Sequence, residues 1–194
     1  MKFFLIILSF ILTFIACKED ATYITEDNNN IETHTQTDCD TIPNVIKDIP
    51  VGLYVSHKPD SIYAQVYDKD TNIFVWKHST TVTSNINGIK IIEFGTYNYK
   101  NGEWVLGNLT KKPYNTKDFA TWYFIKTNND MFSWENCKNG ILELNTEYID
   151  PSSWSVKNIE LVSRNGLWYY IGIDTNGKKY MGYGRYVTIP ELMH

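Results

Sequence analysis

No stretch of this chain is apolar for long enough to cross a bilayer as a helix. The greasiest segment, Phe3 to Ala16, has 14 residues, whereas a spanning helix needs about 20. Cysteine is scarce: Cys17, Cys39 and Cys137 are all there are. Neither they nor His34, His57, His78 and His194 fall at the close-paired spacing of a structural zinc site, so a metal-held fold is excluded. A charge excess is missing from the bulk of the chain, since residues 44–194 carry 15 acidic and 16 basic side chains. That balance removes the electrostatic footprint of a nucleic-acid binder. The patterns G-x-S-x-G, H-E-x-x-H and G-x-x-x-x-G-K do not occur, so the common nucleophile, zinc-protease and phosphate-loop chemistries lack their local signatures. No long segment repeats its apolar residues at helical spacing, which argues against an α-rich fold.

What is present begins at the N-terminus. Met1-Lys2 followed by the 14-residue apolar run has the length and polarity of a secretory leader, with the small Ala16 at the cleavage position. The run ends in Phe14-Ile15-Ala16-Cys17. This resembles a bacterial lipobox, in which the cysteine is acylated and becomes the mature N-terminus. Lys18-Glu19-Asp20 resembles the Lys-acid-acid tract of surface-exported lipoproteins of the Bacteroidetes, and the chain is similar to flavobacterial lipoproteins in this region. The resemblance implies a signal peptide over residues 1–16, a lipid on Cys17 and an outer-membrane, cell-surface location. One acyl chain holds a protein only marginally, whereas several anchor it stably. Residues 18–43 hold seven acids against one lysine and few apolar groups, a composition that cannot offset chain entropy. A disordered acidic tether is expected there, followed by one domain over residues 44–194.

That domain is rich in aromatic and β-branched residues and is punctuated by Asn-Gly at 87–88, 101–102, 139–140, 165–166 and 176–177. Asn and Gly tolerate the positive φ that two-residue hairpin turns require, so each pair is read as a hairpin signal. In Leu167 to Ile173, alternate residues fall on two faces and both faces are apolar or aromatic, as in a strand buried on both sides. Residues 115–122 form the one helical candidate, capped by Asn115 or Thr116. "GTYNYKNGEWVLG" and "NGKKYMGYGRY" look like pieces of MORN repeats but lack a steady period. The expected fold is all-β: an antiparallel, meander-rich sandwich or partly open barrel of about ten strands.

Candidate sites are few. Cys39 and Cys137, outside the cytoplasm, are expected to form a disulfide. The histidines are expected at the surface. Ser56-His57…Asp60 reads as a turn rather than a triad, and Asp68 to Asn72 as a hairpin turn, because its Ile73 and Ser79 replace the Gly and Glu of a calcium loop. Glu93, Glu143 and Glu147 are the carboxylates a hydrolase would have to pair across a cleft. The surplus lies in aromatics, with all six tryptophans and thirteen tyrosines in the domain. Exposed rings stack on sugars or anchor protein interfaces. Trp154, expected in a loop, and Trp104, after a turn, are the candidates for ligand contact. Asp40-Thr41-Ile42 and Asp60-Ser61-Ile62 match the Bacteroidetes O-glycosylation pattern, which would place sugar on Thr41 and Ser61. The reading is a monomeric, cofactor-free lipoprotein that binds a glycan or protein ligand and no nucleic acid. Its rivals are an envelope inhibitor of a toxin or lysozyme-type enzyme, and a carboxylate hydrolase.

Overall fold

Alternation of inward and outward side chains builds most of this protein. The computed structural model describes residues 41–126 and 132–193, with the backbone alone for residues 126, 132–135, 155 and 156. All of these belong to the unit Gln36–His194. In order, the elements are α1 (Asn44–Lys47), β1 (Leu53–Lys58), β2 (Ser61–Asp68), β3 (Ile73–Ser84), β4 (Ile89–Lys100), β5 (Glu103–Leu106) and β6 (Tyr114–Asn115). Then follow α2 (Thr116–Trp122), β7 (Phe124–Lys126), β8 (Phe132–Asn136), β9 (Ile141–Leu142), β10 (Tyr148–Asn158), β11 (Arg164–Ile173) and β12 (Lys179–Leu192). The expected all-β class is what the chain adopts.

The twelve strands form one mixed sheet whose main path runs β5-β4-β11-β12-β2-β3-β10-β7-β8 without closing. Neighbours are antiparallel except β12 and β2, which run parallel and join the two halves of the sheet. The halves meet over a core in which Trp76 and Val82 of β3 and Leu53 of β1 face Phe94 of β4, Trp168 and Tyr170 of β11 and Tyr186 of β12. Strand β11 lies between β4 and β12, and both of its faces are covered. Its second face, with Leu167, Tyr169 and Ile171, packs against Ile42, Ile46 and Ile49 of the N-terminal segment. That segment is also hydrogen-bonded: the Thr41 carbonyl accepts from the Trp104 indole and from Arg185, each at 3.0 Å. The folded body therefore includes Thr41, two residues before the expected end of the tether.

The Asn-Gly pairs divide by context. Asn101-Gly102, with φ of 53° and 83°, turns β4 into β5, and Asn176-Gly177 lies in the turn between β11 and β12. Asn87-Gly88 instead carries the chain from β3 to β4, which do not pair. Asn139-Gly140 sits in a 3₁₀ turn between β8 and β9, also unpaired. Asn165-Gly166 is not a turn at all but part of β11. A Cβ on Gly166 would lie 2.3 Å from the Tyr186 ring, so this glycine serves packing. The expected short helix is α2, closed by a capping box in which Asn115 accepts from the Lys117 amide and Asp118 from the Asn115 amide. Among the described residues, no helix is long and apolar enough to cross a membrane.

Candidate functional site

Side chains from both halves of the sheet line a cleft of about 710 Å³. Its floor is the inner surface of β4 and β11, where register sets Thr96 opposite Trp168 and Asn98 opposite Gly166. Arg164 lies on the same face of β11 as Trp168, four residues away, or about 13 Å along an extended strand. Between them the absent Cβ of Gly166 admits Tyr186. Its hydroxyl hydrogen-bonds Thr96 Oγ1 at 2.9 Å and donates to Asn98 Oδ1 at 3.3 Å, which fixes the polar part of the floor.

The first wall is the connection from β5 to β6 with the end of α2. Asn108 holds it in place: its Oδ1 accepts from the Thr96 amide and its Nδ2 donates to the Lys112 carbonyl, both at 2.8 Å. A Cβ on Gly95 would lie 2.6 Å from that Nδ2, so only glycine leaves the amide room. Tyr114 and Trp122 follow, in edge-to-face contact with a centroid distance of 4.7 Å. Both pack on Phe94, and Tyr114 also stacks towards Trp168. The aromatic wall is thus continuous with the core.

The second wall is β10, which breaks register with β3 between Asp150 and Ser153 and again between Trp154 and Lys157. Such bulges re-aim side chains. Trp154 is therefore on a strand rather than in the expected loop. It is half-buried against Tyr67, at a centroid distance of 5.3 Å, and lines the cleft. The Lys157 ammonium lies 4.1 Å from the centre of the Tyr67 ring. Asp150 Oδ1 accepts from the Ser152 amide and Oδ2 from the Ser153 hydroxyl, both at 2.9 Å. Burial raises the Asp150 carboxyl above the ordinary carboxylate range, partly countered by those two donors. Behind it, Ser153 hydrogen-bonds Tyr123, whose hydroxyl meets that of Tyr170 in the core. Burial holds both phenols above their usual range.

The other candidates lie elsewhere. Trp104 is on the far face of β4 and β5 with its indole N–H on Thr41, so it is not brought together with Trp154. Thr41 and Ser61 are exposed. Glu93 accepts from the Tyr169 hydroxyl at 2.9 Å, and neither it, Glu143 nor Glu147 lines the cleft, where Asp150 is the one carboxylate among the described residues. Among the described residues Cys137 has no disulfide partner; it is 1% exposed, donates to the Ile141 carbonyl, and burial pushes its thiol up to about 12. Cys17 and Cys39 lie outside the described residues, and with them the lipid site and the expected disulfide.

His57 and His78 are buried rather than at the surface, because they occupy inward positions of β1 and β3. Their rings meet edge to face at 4.9 Å and both contact Tyr186. His57 reaches Thr80 Oγ1 at 3.1 Å and the Gly184 carbonyl at 2.9 Å. Sequence reasoning missed the pair and also missed Arg164, Trp122 and Asp150, which converge from three separate parts of the chain. Among the described residues, no group of three His, Cys, Asp or Glu side chains is placed to hold a metal. Compared with protein families, curated proteins and solved structures, the chain matches none.

Proposed function

We propose that this chain is an envelope lipoprotein, anchored through an acylated Cys17, whose β-domain binds a glycan in the cleft. One observation carries the glycan reading: Trp122, Trp154, Trp168 and Tyr114 line a single cleft alongside the hydrogen-bonding groups Asn98, Thr110, Asp150 and Ser152. Sugar rings present apolar C–H faces and a rim of hydroxyls, and this mixture of flat rings and fixed polar groups complements both. The cleft volume also falls within the range of about 300–1,000 Å³ typical of small-ligand sites. The anchor rests on the leader, the lipobox-like Phe14 to Cys17 and the charged tract after it.

The test is a glycan array followed by calorimetry on the best hit. Trp154→Ala is expected to weaken binding by about tenfold or more, equivalent to about 1.4 kcal/mol. Trp104→Ala, altered on the opposite face, is expected to bind as the parent does. A blank array, or equal losses in both variants, would remove the cleft from the account.

A further inference from the structure

The glycan reading leaves open what distinguishes the preferred sugar, and the charges in the cleft bear on that. Among the described residues, three charged side chains line it: Asp150, Lys157 and Arg164. They are not equally committed. Both Asp150 oxygens already accept hydrogen bonds from Ser152 and Ser153. Lys157 is partly engaged, with its ammonium over Tyr67 and 5.8 Å from the Trp154 ring. Arg164 is half-buried at the start of β11, and its guanidinium has no hydrogen-bond or ion-pair partner among the described residues. A half-buried guanidinium presents five donors in a planar fork that matches a carboxylate edge to edge.

We infer that the cleft selects an acidic saccharide and that Arg164 receives its carboxylate. The spacing suits an oligomer: about 13 Å separates the Arg164 and Trp168 positions along β11, so one residue of the ligand meets the cation while another lies over the aromatic floor. Lys157, on the second wall, adds a second positive charge, so among the described residues cations outnumber the single carboxylate of the cleft. Arg164 is then a specificity-determining residue, while Trp122 and Trp154 supply contact area common to acidic and neutral sugars. This inference rests on the glycan reading above.

The test compares uronic-acid oligosaccharides with the same compounds after their carboxyl groups have been reduced to primary alcohols. The parent protein is expected to bind the acidic forms at least tenfold more tightly, with a preference that shrinks as salt is raised. Arg164→Met is expected to abolish the preference, so that this variant binds the acidic and the reduced forms with the same affinity. Arg164→Lys keeps the charge without the fork and is expected to fall between, and its fold is checked by circular dichroism. Equal affinity for acidic and reduced forms would overturn the inference while leaving the glycan site standing. Binding of neither form would overturn both.

Discussion

Gly182→Ala is expected to cost more than about 3 kcal/mol, the range in which forced overpacking disrupts a core rather than merely straining it. The reason is backbone. Strand β1 passes so close over β12 that a Cβ at Gly182 would lie 2.4 Å from the Leu53 carbonyl oxygen and 2.7 Å from its carbonyl carbon. A side chain could rotate away, but main chain cannot, so β1 must lift. Lifting it would also loosen His57 from the Gly184 carbonyl and Leu53 from the core. Gly102→Ala provides the contrast. It also replaces a glycine, but at an open turn with nothing within 4 Å of the added Cβ and a φ of +83°. Only the left-handed backbone penalty of about 1–2 kcal/mol applies there. Urea unfolding of both variants measures the difference. Similar losses for the two would mean that β1 does not lie on β12 in this way.

The second large effect is acid sensitivity from the buried histidine pair. Burial, with the neighbouring His57 charge in support, lowers His78 to about 3, against an unfolded value of 6.5. His57 is also lowered, mainly by burial, against the opposing pull of the Gly184 carbonyl and Asp60. A histidine whose folded value is depressed takes up its proton first in the unfolded chain. Its contribution is present above about pH 6.5 and is lost as pH falls towards 3. At 1.36 kcal/mol per unit, His78 alone withdraws about 3 kcal/mol between pH 7 and pH 4. Asp150 acts in the opposite direction, since its raised carboxyl favours the folded state as pH falls, and it offsets part of the loss. His78→Phe keeps a ring against Tyr186 and removes the titration. Its stability difference between pH 7 and pH 4 is expected to be smaller than the parent's by about 3 kcal/mol. An unchanged difference would place the acid sensitivity elsewhere.

The sequence made local geometry legible and left convergence hidden. Alternation in Leu167 to Ile173 correctly indicates a strand covered on both faces, because period-two patterning is a property of the strand itself. The cap at Asn115 is equally local. Asn-Gly is ambiguous: the same pair makes a hairpin at 101–102 and lies within a strand at 165–166, where the deciding partner is Tyr186, twenty residues on. Trp154 is recognisable as a candidate but not as a strand residue, since two register breaks in β10 disguise its alternation. The histidines look polar and therefore exposed until β1 and β3 turn them inward against Tyr186. The cleft itself has no linear signature. Asn98, Trp122, Asp150 and Arg164 come from four elements, brought together by how β4, β10 and β11 are ordered in the sheet.

The claim that the cleft is the ligand site is tested most directly by the indole N–H resonances, because the tryptophans sample both faces of the fold and the core. Titration with the tightest-binding acidic oligosaccharide is expected to shift the signals of Trp122, Trp154 and Trp168 while those of Trp76 and Trp104 stay in place. Movement of the Trp104 signal with the three cleft indoles unmoved would contradict it.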